Sequence, residues 1–313
     1  MKGLALLLLL LLPSCGKHED APDLAVYTGQ GFQLINIESK NTRFIPCSVP
    51  VGSFSIAPNG TFLTFVSREG RSGMGQIYLL DYETSQIRKL TTAAFYFTTN
   101  RFPQPEVPKR ELYSDVEVSP DSRSVVFAVH SVADNDGDDL VGLSGPLAIM
   151  DLSSSKMRIL NSTEKVDGEG PAFANSPRWS NDGKKLLMGF EVSGAIASDT
   201  VDTLLWLAQR MPKPFDEVQV SPKSWWSNKE ILCVWDSKRS GIGKLIRLDL
   251  TTGQVSTTAS FLPIPETATE DVVGVDINSR YILIQHGERC ELFRRTGELL
   301  QTWNRGARLR LFN

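Results

Sequence analysis

Ser53-Phe54-Ser55-Ile56-Ala57-Pro58-Asn59-Gly60-Thr61-Phe62-Leu63-Thr64-Phe65-Val66-Ser67 decides the fold. A short apolar run meets a Pro-Asn-Gly turn and reverses into a second apolar run. Pro fixes φ, and Asn or Gly tolerates positive φ, so this is tight-hairpin chemistry. Beyond the Gly-containing connection Ser72-Gly73-Met74-Gly75, Gln76 to Asp81 and Gln86 to Leu90 read as two further strands. Runs this short, bounded by Gly, Pro, Asn and Asp, are strands rather than helices. A single four-stranded meander has two apolar faces and cannot bury both, so it needs copies of itself to stack against.

The copies are present. Ala57-Pro58-Asn59-Gly60 is matched by Ser119-Pro120-Asp121-Ser122, Ser180-Asn181-Asp182-Gly183, a degraded Ser227-Asn228-Lys229 and Asn278-Ser279-Arg280. Each precedes an apolar strand: Val125 to Val129, Lys185 to Phe190, Ile231 to Trp235 and Tyr281 to Gln285. Ile77-Tyr78-Leu79-Leu80-Asp81 is echoed by Leu147 to Asp151 and Leu245 to Asp249. In each echo a closing Asp is placed to accept N–H groups of the following turn, which reads as a turn cap rather than a catalytic carboxylate.

Taken in order, Leu24 to Thr28, Phe32 to Glu38 and Thr42 to Pro46 are strands two, three and four of a unit that lacks its first. Complete units follow over 50–92, 113–162, 177–211, 217–259 and 272–303, the last strand of the fourth being poorly marked. Ala307 to Phe312 then forms an alternating strand with no unit of its own. Units stacked radially must close, or their end faces stay exposed. The sequence therefore predicts an all-β, six-bladed β-propeller of four-stranded antiparallel blades, its first blade closed by the C-terminal strand.

The Ser/Ala-Pro-Asp/Asn-Gly turn, the apolar strand after it and the Ile-Tyr-Leu-Leu-Asp segment resemble the repeats of TolB-like (WD-type) β-propellers. These repeats also occur in envelope lipoproteins and in the propeller domains of prolyl peptidases. The resemblance covers residues 23–313 and rests on turn and core positions, so it implies fold more than function. TolB itself joins an α/β domain to a six-bladed propeller and binds the peptidoglycan-associated lipoprotein; here the repeats fill residues 23–313. The Gly-x-Ser-x-Gly elbow of the peptidases does not follow them.

With 33 Lys and Arg against 36 Asp and Glu and no basic run, the chain lacks the clustered cations that nucleic acid requires. Leu4 to Leu12 is apolar but too short to span a bilayer, which reads as a signal peptide over residues 1–14. Leu12-Pro13-Ser14-Cys15 resembles a bacterial lipobox, with Pro13 in place of the usual small residue. That resemblance makes Cys15 the lipidated first residue, 15–22 a tether, and the membrane contact a lipid anchor. Gly16 replaces the Asp-type retention signal, which implies an envelope lipoprotein of the outer membrane facing the periplasm or the surface. Cys47, Cys233 and Cys290 fall in or beside strands and read as buried free thiols, with a Cys47–Cys290 disulfide the open alternative.

The connections are unequal. Those joining strands one to two and three to four are tight. Those joining two to three, and successive units, are long: Ser67–Gly75, Thr92–Leu112, His130–Pro146, Thr163–Ser176, Glu191–Asp202, Asp236–Gly243 and Phe261–Glu270. In a blade both long classes leave by one face, and excess sequence gathered on one face of a repeat protein marks its binding surface. Phe95, Tyr96, Phe97, Arg101 and Phe102 make one such loop aromatic, suited either to a partner contact or to a plug over the blade. Asp134, Asp136, Asp138 and Asp139 open another like a calcium loop. Asp139 stands where that loop needs Gly, however, and Gly145 where it needs Glu, so the alternative is a solvated acidic turn.

Trp179, Trp206, Trp225, Trp226 and Trp235 read as packing between blades, with a saccharide platform as the other reading. The three His show no metal spacing, and no Ser/His/Asp set has supporting context. The sequence thus reads as a non-enzymatic, monomeric scaffold without cofactor that binds an envelope protein through its long-loop face. The alternative is a carbohydrate-binding or carbohydrate-active propeller of lyase or glycosidase type, and a calcium-dependent module is a third reading.

Overall fold

The computed structural model describes residues 22–68, 75–91, 109–133, 142–160, 175–189, 194–198, 204–206, 219–236, 243–257, 272–286, 289–304 and 308–311. These form four-stranded antiparallel sheets, and the fold is an all-β propeller. The first sheet holds β1 (Leu24–Tyr27), β2 (Gly31–Ile35), β3 (Thr42–Pro46) and, next to β1, the C-terminal β24 (Arg308–Leu311). The second is β4 (Val51–Ile56), β5 (Phe62–Ser67), β6 (Ile77–Asp81) and β7 (Ile87–Lys89). The third is β8 (Lys109–Val118), β9 (Ser124–Ala133), β10 (Gly142–Asp151) and β11 (Met157–Ile159). The fourth is β12 (Asn175–Trp179), β13 (Lys185–Gly189), β14 (Gly194–Ser198) and β15 (Leu204–Trp206). The fifth is β16 (Gln219–Ser227), β17 (Glu230–Asp236), β18 (Gly243–Asp249) and β19 (Val255–Thr257). The sixth is β20 (Val272–Ile277), β21 (Tyr281–His286), β22 (Arg289–Arg294) and β23 (Leu299–Asn304).

The apolar faces meet between neighbouring sheets. Phe32, Phe54, Phe65 and Leu80 share one cluster between the first and second sheets. Tyr113, Phe127 and Met150 of the third sheet pack on Val66 and Ile77 of the second. Leu24 and Leu311 pack on Tyr281, Leu283 and Leu292 of the sixth. A sheet with two buried faces needs a neighbour on each side, and these clusters supply it. The innermost strands touch in the order β4, β8, β12, β16, β20, β24 and back to β4.

The turn residues behave as their chemistry demands. Asp81 Oδ1 accepts the Thr84 N–H at 2.8 Å, Asp151 Oδ1 the N–H groups of Ser153 and Ser154 at 3.0 and 2.8 Å, and Asp249 Oδ1 those of Thr251 and Thr252 at 2.7 and 2.9 Å. In the hairpin turns Ser119 Oγ donates to Asp121 Oδ1 at 2.6 Å, and Ser180 Oγ to Asp182 Oδ1 at 2.7 Å. Gly60, Ser122 and Gly183 occupy the equivalent turn position with φ of 72°, 59° and 70°. Hydroxyl and N–H donors hold the Asp151 carboxyl down at about 2 and lower Asp81, Asp121, Asp182 and Asp249 in the same direction.

Closure follows the expected strand. β24 pairs antiparallel with β1, Leu24 opposite Leu311 and Tyr27 opposite Arg308. It is also tied to both neighbouring sheets. Arg310 Nε donates to the Phe54 carbonyl at 3.1 Å, Arg308 Nη1 to the Val51 carbonyl, and the Leu311 N–H to Asp276 Oδ2 at 2.9 Å. Asp23, at the foot of β1, is buried; it accepts the Ile37 N–H at 2.9 Å and pairs with Arg280 of the sixth sheet. Glu38 takes the Tyr281 hydroxyl at 2.9 Å and pairs with Arg294 at 3.1 Å. β1 and β24 are thus fastened to each other and to the sheets on either side.

Three expected connections are shorter than the sequence suggested. Glu191–Asp202 contains β14, because pairing with β13 and β15 overrides the weak strand preference of Gly194-Ala195-Ile196-Ala197. Thr92–Leu112 ends early, since β8 begins at Lys109 and Leu112 is already buried. His130–Pro146 shrinks to 134–141, because β9 and β10 run on; the register shift between Ser144 and Leu147 accommodates Pro146 within a strand. Cys47, Cys233 and Cys290 are buried and unpaired, as the favoured sequence reading had it.

Deleting residues 306–313 should lower the melting temperature by at least about 10 °C in circular dichroism, because β1 and the cluster around Leu311 lose their cover. Leu311→Ala alone should cost about 3 kcal/mol in urea unfolding. A group whose folded pKa is depressed contributes stability above its unfolded pKa and loses it as pH falls through the folded value. The melting temperature should therefore fall between about pH 4 and pH 2, and Asp151→Ala should be less acid-sensitive in that window while melting lower at pH 7.

Candidate functional site

The space inside the innermost strands is charged. Glu117 (β8), Arg178 (β12), Lys223 (β16), Asp276 (β20), and Arg308 and Arg310 (β24) come from five different sheets. A strand alternates its side chains, so Glu117, Asp276 and Arg310 turn inward while their neighbours Val116, Val275 and Leu311 enter the sheet-to-sheet cores; in β16 the register shift between Pro222 and Ser224 breaks the alternation between Lys223 and Trp225. Arg178 Nη1 lies 2.9 Å from Glu117 Oε2. Arg310 bridges the acids, with Nη2 at 3.9 Å from Glu117 and Nη1 at 3.8 Å from Asp276. Burial, then Arg178, lowers the Arg310 pKa, against the opposing pull of Glu117, Asp276 and Asp115. Burial likewise lowers Lys223, with Arg178 adding to the effect.

Cations outnumber their partners. Arg308 donates to the Val51 carbonyl, but among the described residues neither it nor Lys223 makes an ion pair. Among the described residues Ser53 Oγ and Arg178 Nε are buried without hydrogen-bond partners. Ser53, Arg178, Asp276, Gln285, Arg308 and Arg310 line a cavity of about 260 Å³. A second cavity of about 770 Å³ lies over the turns of the third and fourth sheets, beside Trp179. Its Asp121, Asp151 and Asp182 are committed to capping, which makes it scaffold.

A bulge in β8 brings together three residues that no local rule joins. Asp115 takes a φ of 53° at the register shift between Ser114 and Glu117. Ser114 Oγ then sits 2.7 Å from His130 Nε2 and donates to Asp115 Oδ2 at 3.1 Å. Burial keeps the His130 pKa low, with Asp115 opposing it. The carboxylate here lies on the hydroxyl, whereas a nucleophilic triad places it on the far imidazole nitrogen, so the three residues are not arranged as that triad.

Of the sequence candidates, Cys15, the Phe95, Tyr96, Phe97, Arg101 and Phe102 group, and Asp134, Asp136, Asp138 and Asp139 lie outside the described residues. Trp225 is buried and donates from Nε1 to the Arg178 carbonyl at 2.9 Å, bridging the fourth and fifth sheets as the packing reading expects. Trp226 lies under the Arg295 guanidinium, 4.0 Å from ring centroid to Cζ. Among the described residues no group of three His, Cys, Asp or Glu is placed to hold a metal, and no helix is long and apolar enough to cross a membrane. Burial pushes the Cys233 thiol up to about 12, so it is inert at neutral pH. Sequence reasoning missed the charged interior because its members are spread over the chain; the only signal was inward-facing charge on strands that begin sheets.

The fold has known counterparts. A putative TolB from Agrobacterium tumefaciens superposes with a TM-score of 0.58 at 14% identity, over 93% of this chain and 99% of that one. A nidogen/laminin complex chain gives 0.57 at 6% identity, over 93% and 98%. An oligogalacturonate lyase in complex with manganese gives 0.55 at 9% identity, over 85% and 68%. No family model and no curated protein sequence matches the chain. The architecture defines the class, a β-propeller of four-stranded blades, and within that class the fold is TolB-like.

Glu117→Ala should destabilise the protein by about 3 kcal/mol in urea unfolding, since it removes the carboxylate partner of the largely buried Arg178 and one of the two acids at Arg310.

Proposed function

We propose that the protein is a non-enzymatic, lipid-anchored envelope propeller that binds a protein partner through the face carrying its long connections. The sheets are taken as six blades of one closed ring. The cyclic contacts of the inner strands and the β24–β1 pairing support that closure. The observation that carries the binding face is the strand order. Every sheet is a meander in space, with β24 standing as the first strand of the first sheet, so the two-to-three connections and the connections between sheets leave by the same edge. The opposite edge is spent on capped tight turns, whose carboxylates and hydroxyls already bond their own backbone. Excess chain therefore gathers on one face, and such faces carry recognition in repeat proteins.

The similarity to a putative TolB supports an envelope propeller at the level of fold, and the lyase and nidogen likenesses likewise concern fold. The anchor rests on the lipobox-like Leu12-Pro13-Ser14-Cys15. In this reading the aromatic segment Phe95 to Phe102 supplies contact area, because rigid rings bring large area at low entropic cost.

Replacing residues 93–107 by a short Gly/Ser linker should abolish capture of envelope proteins in pull-downs while leaving the melting temperature within about 3 °C. A fall in stability with capture intact would assign the segment to a plug instead. Cys15→Ala should block incorporation of labelled palmitate and move the protein from the membrane to the soluble fraction.

A further inference from the structure

We propose that the cavity between β4, β12, β20 and β24 is a binding site for a single carboxylate group. Its lining has an excess of donors. Among the described residues Arg308 has no ion pair and Arg178 Nε–H and Ser53 Oγ have no hydrogen-bond partner, while Arg310 is shared between two acids. Asp276, the carboxylate in the lining, is already occupied by the Leu311 N–H and by Arg310. Arg68 lies near Arg308, and its like charge further disfavours the Arg308 cation. A buried donor without an acceptor is unfavourable. An anion placed against the lining side chains supplies acceptor and charge together.

Size and shape narrow the ligand. At about 260 Å³ the cavity falls below the roughly 300–1,000 Å³ of pockets that enclose drug-sized molecules. It therefore takes one small planar anionic group and excludes an enclosed oligosaccharide. Guanidinium groups match carboxylate geometry through paired N–H donors. Gly52, Ser53, Gly274 and Arg308 stand at or near the starts of their strands, so the cavity sits toward the edge of the long connections. Two sources of carboxylate can reach it: a free small organic acid, or the C-terminal carboxylate of a protein docked on that face. The second source rests on the partner reading above; the first does not.

The test is isothermal titration calorimetry of the purified protein with succinate, with acetyl-Ala-Ala-Ala bearing a free C-terminal carboxylate, and with the amide of that peptide. The expected result is binding of succinate, of the peptide acid or of both, and none of the amide. Succinate alone assigns the site to a free acid, and the peptide acid alone to a chain terminus. Arg308→Gln should weaken the binding by about tenfold or more, and Ser53→Ala by about threefold. Circular dichroism shows whether Arg308→Gln folds; if it does not, Ser53→Ala, which removes only an unpartnered hydroxyl, carries the test. No heat with either carboxylate at millimolar concentration, equal binding of acid and amide, or affinity unchanged in the folded variants would overturn the proposal. Succinate binding that survives replacement of 93–107 while partner capture is lost separates this site from the partner face.

Discussion

Everything in this molecule depends on β24 lying against β1. A stack of sheets with two apolar faces each has two ends that water would reach. An open stack would expose Leu24, Val26 and the inner side of the first sheet, and leave β1 as a bare strand edge. The pairing over Leu24 to Tyr27 and Arg308 to Leu311 removes both liabilities. The strand also bonds outward, to Phe54 and Val51 on one side and to Asp276 on the other. The last residues of the chain therefore organise its first sheet.

The same strand carries the charge at the centre. Arg308 and Arg310 are the residues that bond the neighbouring backbones, and they also meet Glu117, Asp276 and Arg68. Closure and central electrostatics are one construction. Buried cations are costly unless paired, and Glu117 and Asp276 cannot satisfy Arg178, Lys223, Arg308 and Arg310 together. A structure that needed only stability would be better served by apolar side chains of similar volume. Retention of charge where packing would suffice is what makes the centre a candidate site rather than a core.

Much of the architecture was legible from short-range chemistry. Pro-Asx-Gly turns, closing Asp residues and alternating runs each act within a few residues, so they can be read locally, and Asp151 and Asp182 bond as their positions imply. The surplus strand Ala307 to Phe312 and the three-stranded start together pointed to closure. Legibility failed where neighbours overruled local preference. β14 is built of Gly, Ala, Ile and Ser and is a strand because β13 and β15 flank it. Pro146 marked an end by its chemistry, but a bulge lets the strand continue through it.

By itself the sequence determined the repeat, the turn chemistry and the expectation that the ends meet, because all of these follow from periodicity and from residues adjacent in the chain. The tertiary structure alone decided which residues share the interior. Glu117 and Arg178 are 61 positions apart, and Arg308 and Val51 are 257 apart, and no local rule couples such distances. The register of each sheet turns particular charges inward, and the closing strand adds two arginines to them. That convergence, with its unmet donors, is a property of the closed assembly.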